Sequence, residues 1–444
     1  MVGRRRALAL GALVATGALG LAAGCSSASP EVPQDSDSGT ALLTIEVYGP
    51  AQVVTAYAKI ASDFTDAHPN TVVNVRPYSS ASAAVDAVEG QVGTSAEPDA
   101  FLAPVTAVPE LMAKKAITPV DELLGERQVD FGDGYQRSAL EAFSLDKRLQ
   151  CMPVDDSPLV VYYNKDLVDL DTLDSSGGDP ADPTNGWTLD QFAAAAKQAA
   201  GRTDRGVYVE PSLDQLAPFI WSGGGKLVDN DLDPTTLRLS DGGSRSALEK
   251  LLEIVRNPSL TFSQEQLESS SALERFKAGT LGMILGYRSL TPELRAQAGL
   301  NFDVMPLPRI GGKATVGQTS GLCLSSTAVN QARTADFLAY AVSDEAQALV
   351  ARTGYSVPTN LDVVNSEDFV QTGRQPATSS VFGLNVRYIR PLPDVTGWEA
   401  VEAEASPLLT ALFYDPVIDP LDDRLNTIDA GSVPLFAPAA TPSP

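Results

Sequence analysis

The chain has 444 residues, with 56 acidic against 32 basic side chains and a formal net charge of −24. A surface this acidic repels a polyanion, so nucleic acid, whose phosphates need a basic footprint, is excluded as a partner. With His68 as the only histidine, any histidine-based nucleophilic triad or His-ligated zinc centre would have to be built around that one imidazole.

At the start of the chain, Arg4-Arg5-Arg6 precede an apolar run from Ala7 to Ala23, which closes on Leu21-Ala22-Ala23-Gly24-Cys25. A charged region, an apolar region and small residues before a cysteine are the order that lipoprotein processing requires. Residues 1–24 are therefore expected to be a lipoprotein signal peptide. Cys25 would become the N-terminus and carry a diacylglycerol, whose two acyl chains suffice for stable anchoring. An uncleaved transmembrane helix is the competing reading, but the run is rich in Ala and Gly and lacks a basic stop signal. The arginines admit twin-arginine export, although the residues after them lack the rest of that motif, so general secretion is the default. Ser26 to Thr40 hold five serines, two prolines and three acids without an aromatic, a composition that cannot offset its ordering entropy. Residues 25–40 read as a tether.

A βαβ opening follows. Ala41 to Tyr48 alternates like a strand, Val53 to Phe64 carries helical spacing, and Thr71 to Val75 reads as a second strand. Between them Asp66-Ala67-His68-Pro69-Asn70 is turn-like, which makes His68 a surface residue. Further strand-like runs lie at Ala100–Ala103, Leu159–Tyr163, Leu281–Leu285, Phe302–Met305 and Gly321–Leu324. Helical patterns such as Gln191–Ala200 and Ala247–Val255 separate them, and Thr188 with Gln191 has capping-box spacing. A helical stretch from Asp336 to Ala351 stops near Gly354. Alternation of this kind predicts an α/β fold. Residues 431–444 read as a disordered tail. Cys151 and Cys323 are an even pair in an oxidising compartment, open at this point to two readings, a disulfide or two buried free thiols.

The blocks themselves are familiar. Ile45-Glu46-Val47-Tyr48 through Phe64 and His68-Pro69-Asn70, then Glu97-Pro98-Asp99-Ala100-Phe101-Leu102, Met152-Pro153-Val154-Asp155-Asp156-Ser157-Pro158 before Tyr162-Tyr163-Asn164-Lys165, Trp187-Thr188, Phe276-Lys277-Ala278-Gly279, Val304-Met305-Pro306 and Gly354-Tyr355-Ser356-Val357-Pro358 come in one order. In that order they resemble the extracellular solute-binding proteins of ABC importers, the group that includes maltose-binding protein. The resemblance implies two α/β lobes joined by hinge strands around a central ligand cleft. Lobe I would take residues 41–153 plus 307–345 and lobe II 154–306 plus 346–430, with crossings near Pro153, Pro306 and Ala346. It also implies that the segments holding Cys151 and Cys323 run side by side in lobe I, within reach of a disulfide.

A polar solute with apolar faces, such as a sugar, calls for flat aromatic rings beside carboxylates or guanidinium groups. Trp221 precedes three glycines, Trp398 stands at an expected helix start where the family often stacks a sugar, and Trp187 reads as structural. Tyr287 and Arg288 follow a strand from which the family projects an aromatic into the cleft. Asp155 and Asp156 come directly after the first hinge crossing, one facing in and one away. Tyr48 and Thr106 follow strand ends that face the cleft. No catalytic residue, metal or cofactor is expected. The expected function is that of a monomeric, lipid-anchored receptor on the outer face of the cell membrane, which closes over a small polar ligand, foremost a mono- or oligosaccharide, and delivers it to a permease. A secreted carboxylate-dependent glycoside hydrolase is the competing class, although adjacent Asp155 and Asp156 are poorly placed to flank a scissile bond. A surface lipoprotein using the fold for signalling or adhesion is the third.

Overall fold

The computed structural model describes residues 39–173, 179–393 and 398–436. Cys25, the signal segment, most of the tether and residues 437–444 lie outside that range. Among the described residues no helix is long and apolar enough to cross a membrane.

Among the described residues there are twelve strands: β1 Ala41–Tyr48, β2 Thr71–Tyr78, β3 Ala100–Pro104, β4 Ile117–Thr118, β5 Ser144–Leu145, β6 Arg148–Leu149, β7 Cys151–Pro158, β8 Val160–Asn164, β9 Arg205–Tyr208, β10 Leu281–Gly286, β11 Phe302–Met305 and β12 Gly317–Ser325. One sheet runs β2-β1-β3-β12-β4 with β7 also paired to β12, and a second runs β11-β8-β10-β9. The first strand, helix and second strand form a parallel βαβ unit, β1 and β2 pairing from Ala41 opposite Thr71 to Tyr48 opposite Tyr78. The intervening helix Ala51–Ala67 buries Val53, Ala56, Tyr57, Ile60, Ala61 and Phe64, the three-and-four spacing of one helical face. His68 ends that helix, exposed, with its ring stacked 4.1 Å from that of Phe64.

The two large sheets build separate hydrophobic cores, one in the first lobe and two in the second. Ile45, Phe101, Cys151, Leu322 and Phe337 centre the first lobe. The second sheet is covered on both faces, and β8 shows how: Val161 and Tyr163 enter the core with Phe192 and Leu216, while Val160 and Tyr162 enter the core with Phe276 and Phe382. A period of two sends alternate side chains to opposite faces. At the second lobe's helix Leu189–Ala200 the capping box is formed, Gln191 N donating to Thr188 Oγ1 over 3.2 Å and Thr188 N to Gln191 Oε1 over 2.9 Å. This helix lies so close to β9 that a Cβ on Gly206 would sit 1.9 Å from the Ala196 carbonyl oxygen. Gly206→Ala must push the helix off the sheet, a cost of about 1–3 kcal/mol. Urea denaturation should show that loss, and an unchanged midpoint would mean the contact yields freely.

Three segments pass between the lobes: the end of β7, the start of β12, and Tyr355–Thr359. The β7 end is tied to Tyr355–Thr359 by Asp156 N donating to the Val357 carbonyl, Val357 N to Asp155 Oδ1, and Thr359 Oγ1 to the Pro153 carbonyl, and to β12 by their antiparallel ladder. Two of the crossings fall later than the sequence suggests. Leu307 and Val316 pack into the second lobe's core, and Arg309 N donates to the Trp187 carbonyl, so 307–316 stays with that lobe. The segment has no regular element to reveal this. Helix Asp344–Ala351 serves both lobes, with Ala346 and Val350 in the first core and Ala348 and Ala351 in the other. The chain therefore crosses after it rather than at Ala346.

The expected tail also needs correction. Helix Leu421–Phe436 runs six residues into it because Leu421, Leu425, Ile428, Asp429 and Ser432 are buried along one side. Asp429 holds the segment by accepting from Leu239 N, Ser240 N and Ser240 Oγ. Cys151 and Cys323 face each other across the β7–β12 ladder, their Cα atoms 4.3 Å apart, and are joined as a disulfide in the first core.

Candidate functional site

The hinge presents two carboxylates on neighbouring residues of an extended strand, so they diverge. Asp156 is buried and accepts from Thr319 Oγ1 at 2.8 Å and Ser138 Oγ at 3.3 Å. Burial pushes its pKa up to about 7, opposed by those two hydroxyl donors. Asp155 faces the other way, onto a cavity of about 30 Å³ shared with Tyr48, Tyr57, Ser320 and Tyr355. There Tyr48 Oη and Ser320 Oγ are 2.6 Å apart. Burial first, and then the neighbouring Asp156 charge, hold Asp155 well above the usual carboxylate range. A space of this size suits one water molecule, not a sugar ring. Tyr48 and Asp155 thus belong to the hinge floor in this arrangement.

The second lobe supplies a wider polar wall. Strands β9 and β10 are parallel, and both lead at their carboxyl ends into loops that carry functional groups. Tyr287 follows β10. The next residue's backbone N–H donates to Ser157 Oγ at 3.0 Å, which seats Tyr287 beside the hinge strand. The Tyr287 hydroxyl donates to both oxygens of Asp214, at 2.7 and 2.9 Å. Asp214 sits in the first turn of helix Leu213–Ser222, which Ser212 caps. Helix Trp398–Tyr414 brings Trp398 and, four residues on, Glu402 to one side of the helix. Burial raises the pKa of Asp214, Tyr287 donation opposes that rise, and the charge of Glu210 adds to it. Glu402 is raised by burial and then by the Asp214 charge. Tyr287, Asp214, Glu402 and Trp398 are therefore one electrostatically linked patch, with Trp398 half-buried and packed 6.3 Å from the Phe436 ring.

The other expected site residues lie apart. Trp221 is half-buried at the end of helix Leu213–Ser222, with the Arg390 guanidinium 5.9 Å from its ring centroid. Thr106 is exposed in a short turn after β3 on the first lobe. Trp187 is buried, its indole N–H donating to the Pro306 carbonyl at 2.8 Å. Arg288 is a correction. Its side chain is fully buried between the Phe369 and Phe382 rings, at 4.9 and 5.0 Å, and donates to Ser379 Oγ and the Phe369 carbonyl. The two aromatic faces offset part of the cost of burying the cation, and burial still lowers its pKa to about 9.

Asp214 and Glu402 were missed by sequence reasoning. Asp214 reads as an ordinary first-turn acid, but Glu402 had a signal: four residues after Trp398, it shares that helix face. Among the described residues no group of three or more His, Cys, Asp or Glu is placed to hold a metal ion.

Two α/β lobes, three crossing segments and a polar, aromatic wall beside the hinge define a two-lobe binding protein of the periplasmic type. The chain belongs to the bacterial extracellular solute-binding proteins, whose family pattern it matches over residues 59–377. Its place is accordingly outside the cytoplasm. No curated protein matches the sequence significantly. Solved structures share the fold at low identity. The GacH receptor of Streptomyces glaucescens, solved unliganded and with acarbose, has a TM-score of 0.70 at 17% identity, over 89% of this chain and 98% of that one. An ABC substrate-binding protein of Listeria monocytogenes, solved with cycloalternan, has a TM-score of 0.70 at 18% identity, over 88% and 98%. The maltose-maltodextrin binding protein of Alicyclobacillus acidocaldarius has a TM-score of 0.68 at 20% identity, over 89% and 99%.

Proposed function

We propose that this protein is a lipid-anchored receptor of an ABC importer that captures a mono- or oligosaccharide between its lobes and hands it to the permease. The observation that carries the reading is the Tyr287–Asp214–Glu402–Trp398 patch beside the hinge. It joins a half-buried indole to carboxylates that can accept sugar hydroxyls. Relatives of the same fold solved with acarbose and cycloalternan support a saccharide over other polar ligands. Binding selects the closed arrangement in proportion to the ligand's extra affinity for it, and no chemistry is performed. The protein acts as a monomer, held to the membrane through acylated Cys25.

Titration calorimetry against maltooligosaccharides, cyclic glucans and acarbose tests the reading. One of these should bind saturably without turnover. Trp398→Ala should weaken that binding about tenfold, the effect of losing an aromatic contact worth about 1.5 kcal/mol. Asp214→Asn should weaken it less while leaving the fold intact. Release of shorter sugars would instead assign a hydrolase, and no binding across the panel would remove the saccharide reading. The intact mass of membrane-extracted protein should show a diacylated Cys25 at the N-terminus.

A further inference from the structure

The polar wall of the second lobe is made of acceptors. Glu210 is exposed in the loop after β9, where its backbone N–H donates to Gln215 Oε1 at 2.8 Å and Gln215 Nε2 donates back to Glu210 Oε2 at 3.4 Å. Asp214 and Glu402 are half-buried, and the charges of Glu210, Asp214 and Glu402 all act on the Tyr287 hydroxyl. Glu399, three residues before Glu402 on the same helix, adds its own charge to that of Glu402. Among the described residues no lysine or arginine pairs with Glu210, Asp214 or Glu402. The Tyr287 hydroxyl proton is already committed to Asp214.

A sugar hydroxyl both donates and accepts, so a rim suited to neutral sugars mixes the two roles, whereas an ammonium offers three N–H donors and accepts nothing. A wall of carboxylates matches the second group better than the first. We propose that the saccharide held here carries a protonated amine, seated among Glu210, Asp214 and Glu402 against the Trp398 ring. This rests on the saccharide reading above and narrows it to amino sugars. Hydrogen bonds between an ammonium and a carboxylate are stronger than those a neutral hydroxyl makes, and an indole face adds a cation–π attraction that a hydroxyl cannot draw on. Asp214 lies in the first turn of a ten-residue helix, where the helix dipole favours its anionic form. Burial first, and then the charge of neighbouring carboxylates, raises the pKa of Asp214 and Glu402, a repulsion that a cation between them would relieve.

Titration calorimetry of the full chain with matched sugars is the test: chitosan oligosaccharides against their N-acetylated counterparts, and 6-amino-6-deoxymaltose against maltose. Each pair shares a skeleton and differs in the charge of its substituents. In at least one pair the amine should bind about tenfold more tightly, and added salt should erode that margin. Glu402→Gln and Asp214→Asn remove charge while keeping shape and an acceptor oxygen. Each should narrow the ratio within the pair, and the two together should bring it near unity, with circular dichroism checking that the variants fold. A residue that merely shapes the wall would weaken both members of a pair alike and leave the ratio as it was. Equal or weaker binding of the amines in both pairs, or a preference that survives the double substitution, overturns the proposal and leaves the saccharide reading standing. Binding by none of the four sugars would remove that reading as well.

Discussion

Reduction of the Cys151–Cys323 bond should lower the stability of the first lobe by several kcal/mol and split a single unfolding transition into two. The bond closes a loop of 172 residues, and the loop-entropy relation gives about 5 kcal/mol for a loop of that length. The loop contains the main body of the second lobe, which enters through β7 and leaves through β12. With the bond intact, the two strands that frame this insertion stay together in the unfolded chain. Without it, the first sheet must re-form β7–β12 pairing across the whole insertion. The second lobe's two cores hold no cysteine and should keep their own transition. Urea titrations followed by circular dichroism, with and without dithiothreitol, will show this. Cys151→Ala with Cys323→Ala serves as the irreversible counterpart, and alanine leaves no buried hydroxyl behind. Two alkylatable thiols in the denatured, unreduced protein, or coincident curves with and without reductant, would contradict the expectation.

That pairing depended on knowing which segments run side by side, and this marks the boundary of what the chain discloses by itself. The opening strand is legible at its observed limits, Ala41 to Tyr48, because its apolar residues alternate and a glycine and proline follow. The strand Phe302–Met305 and the capping box at Thr188 are equally plain, since each rests on a local pattern with one structural solution. Long-range partnership is not local. Arg288 follows a fully buried strand, and nothing near it in sequence indicates that Phe369 and Phe382 will fold over its guanidinium. The segment 307–316 is assigned to its lobe by backbone contacts to Trp187 and Ser222, which leave no periodicity. The polar wall was half legible. Its aromatics, Tyr287 and Trp398, announce themselves by position, whereas Asp214 and Glu210 disappear among 56 acidic residues.

Acidity within the fold carries the second large effect: the protein should be markedly more stable at pH 5 than at pH 8. Asp156 is raised from an ordinary carboxylate value to about 7 because it is buried where three chain segments cross. The folded state therefore keeps a proton that the unfolded chain gives up near pH 4. Between those values the native protein binds more protons, so stability falls as pH rises through the window and levels off above it. A shift of roughly three pK units corresponds to about 4 kcal/mol at most. Asp155, raised in the same sense by burial, adds to the slope. Asp156→Asn removes the titrating group while its amide oxygen can still accept from Thr319. The variant should gain stability at pH 8, change little at pH 5, and show a flattened profile between them. A wild-type profile that instead rises from pH 5 to pH 8 would mean that Asp156 is ionised in the folded protein. The hinge would then hold its charge through the hydroxyls of Thr319 and Ser138 rather than by protonation.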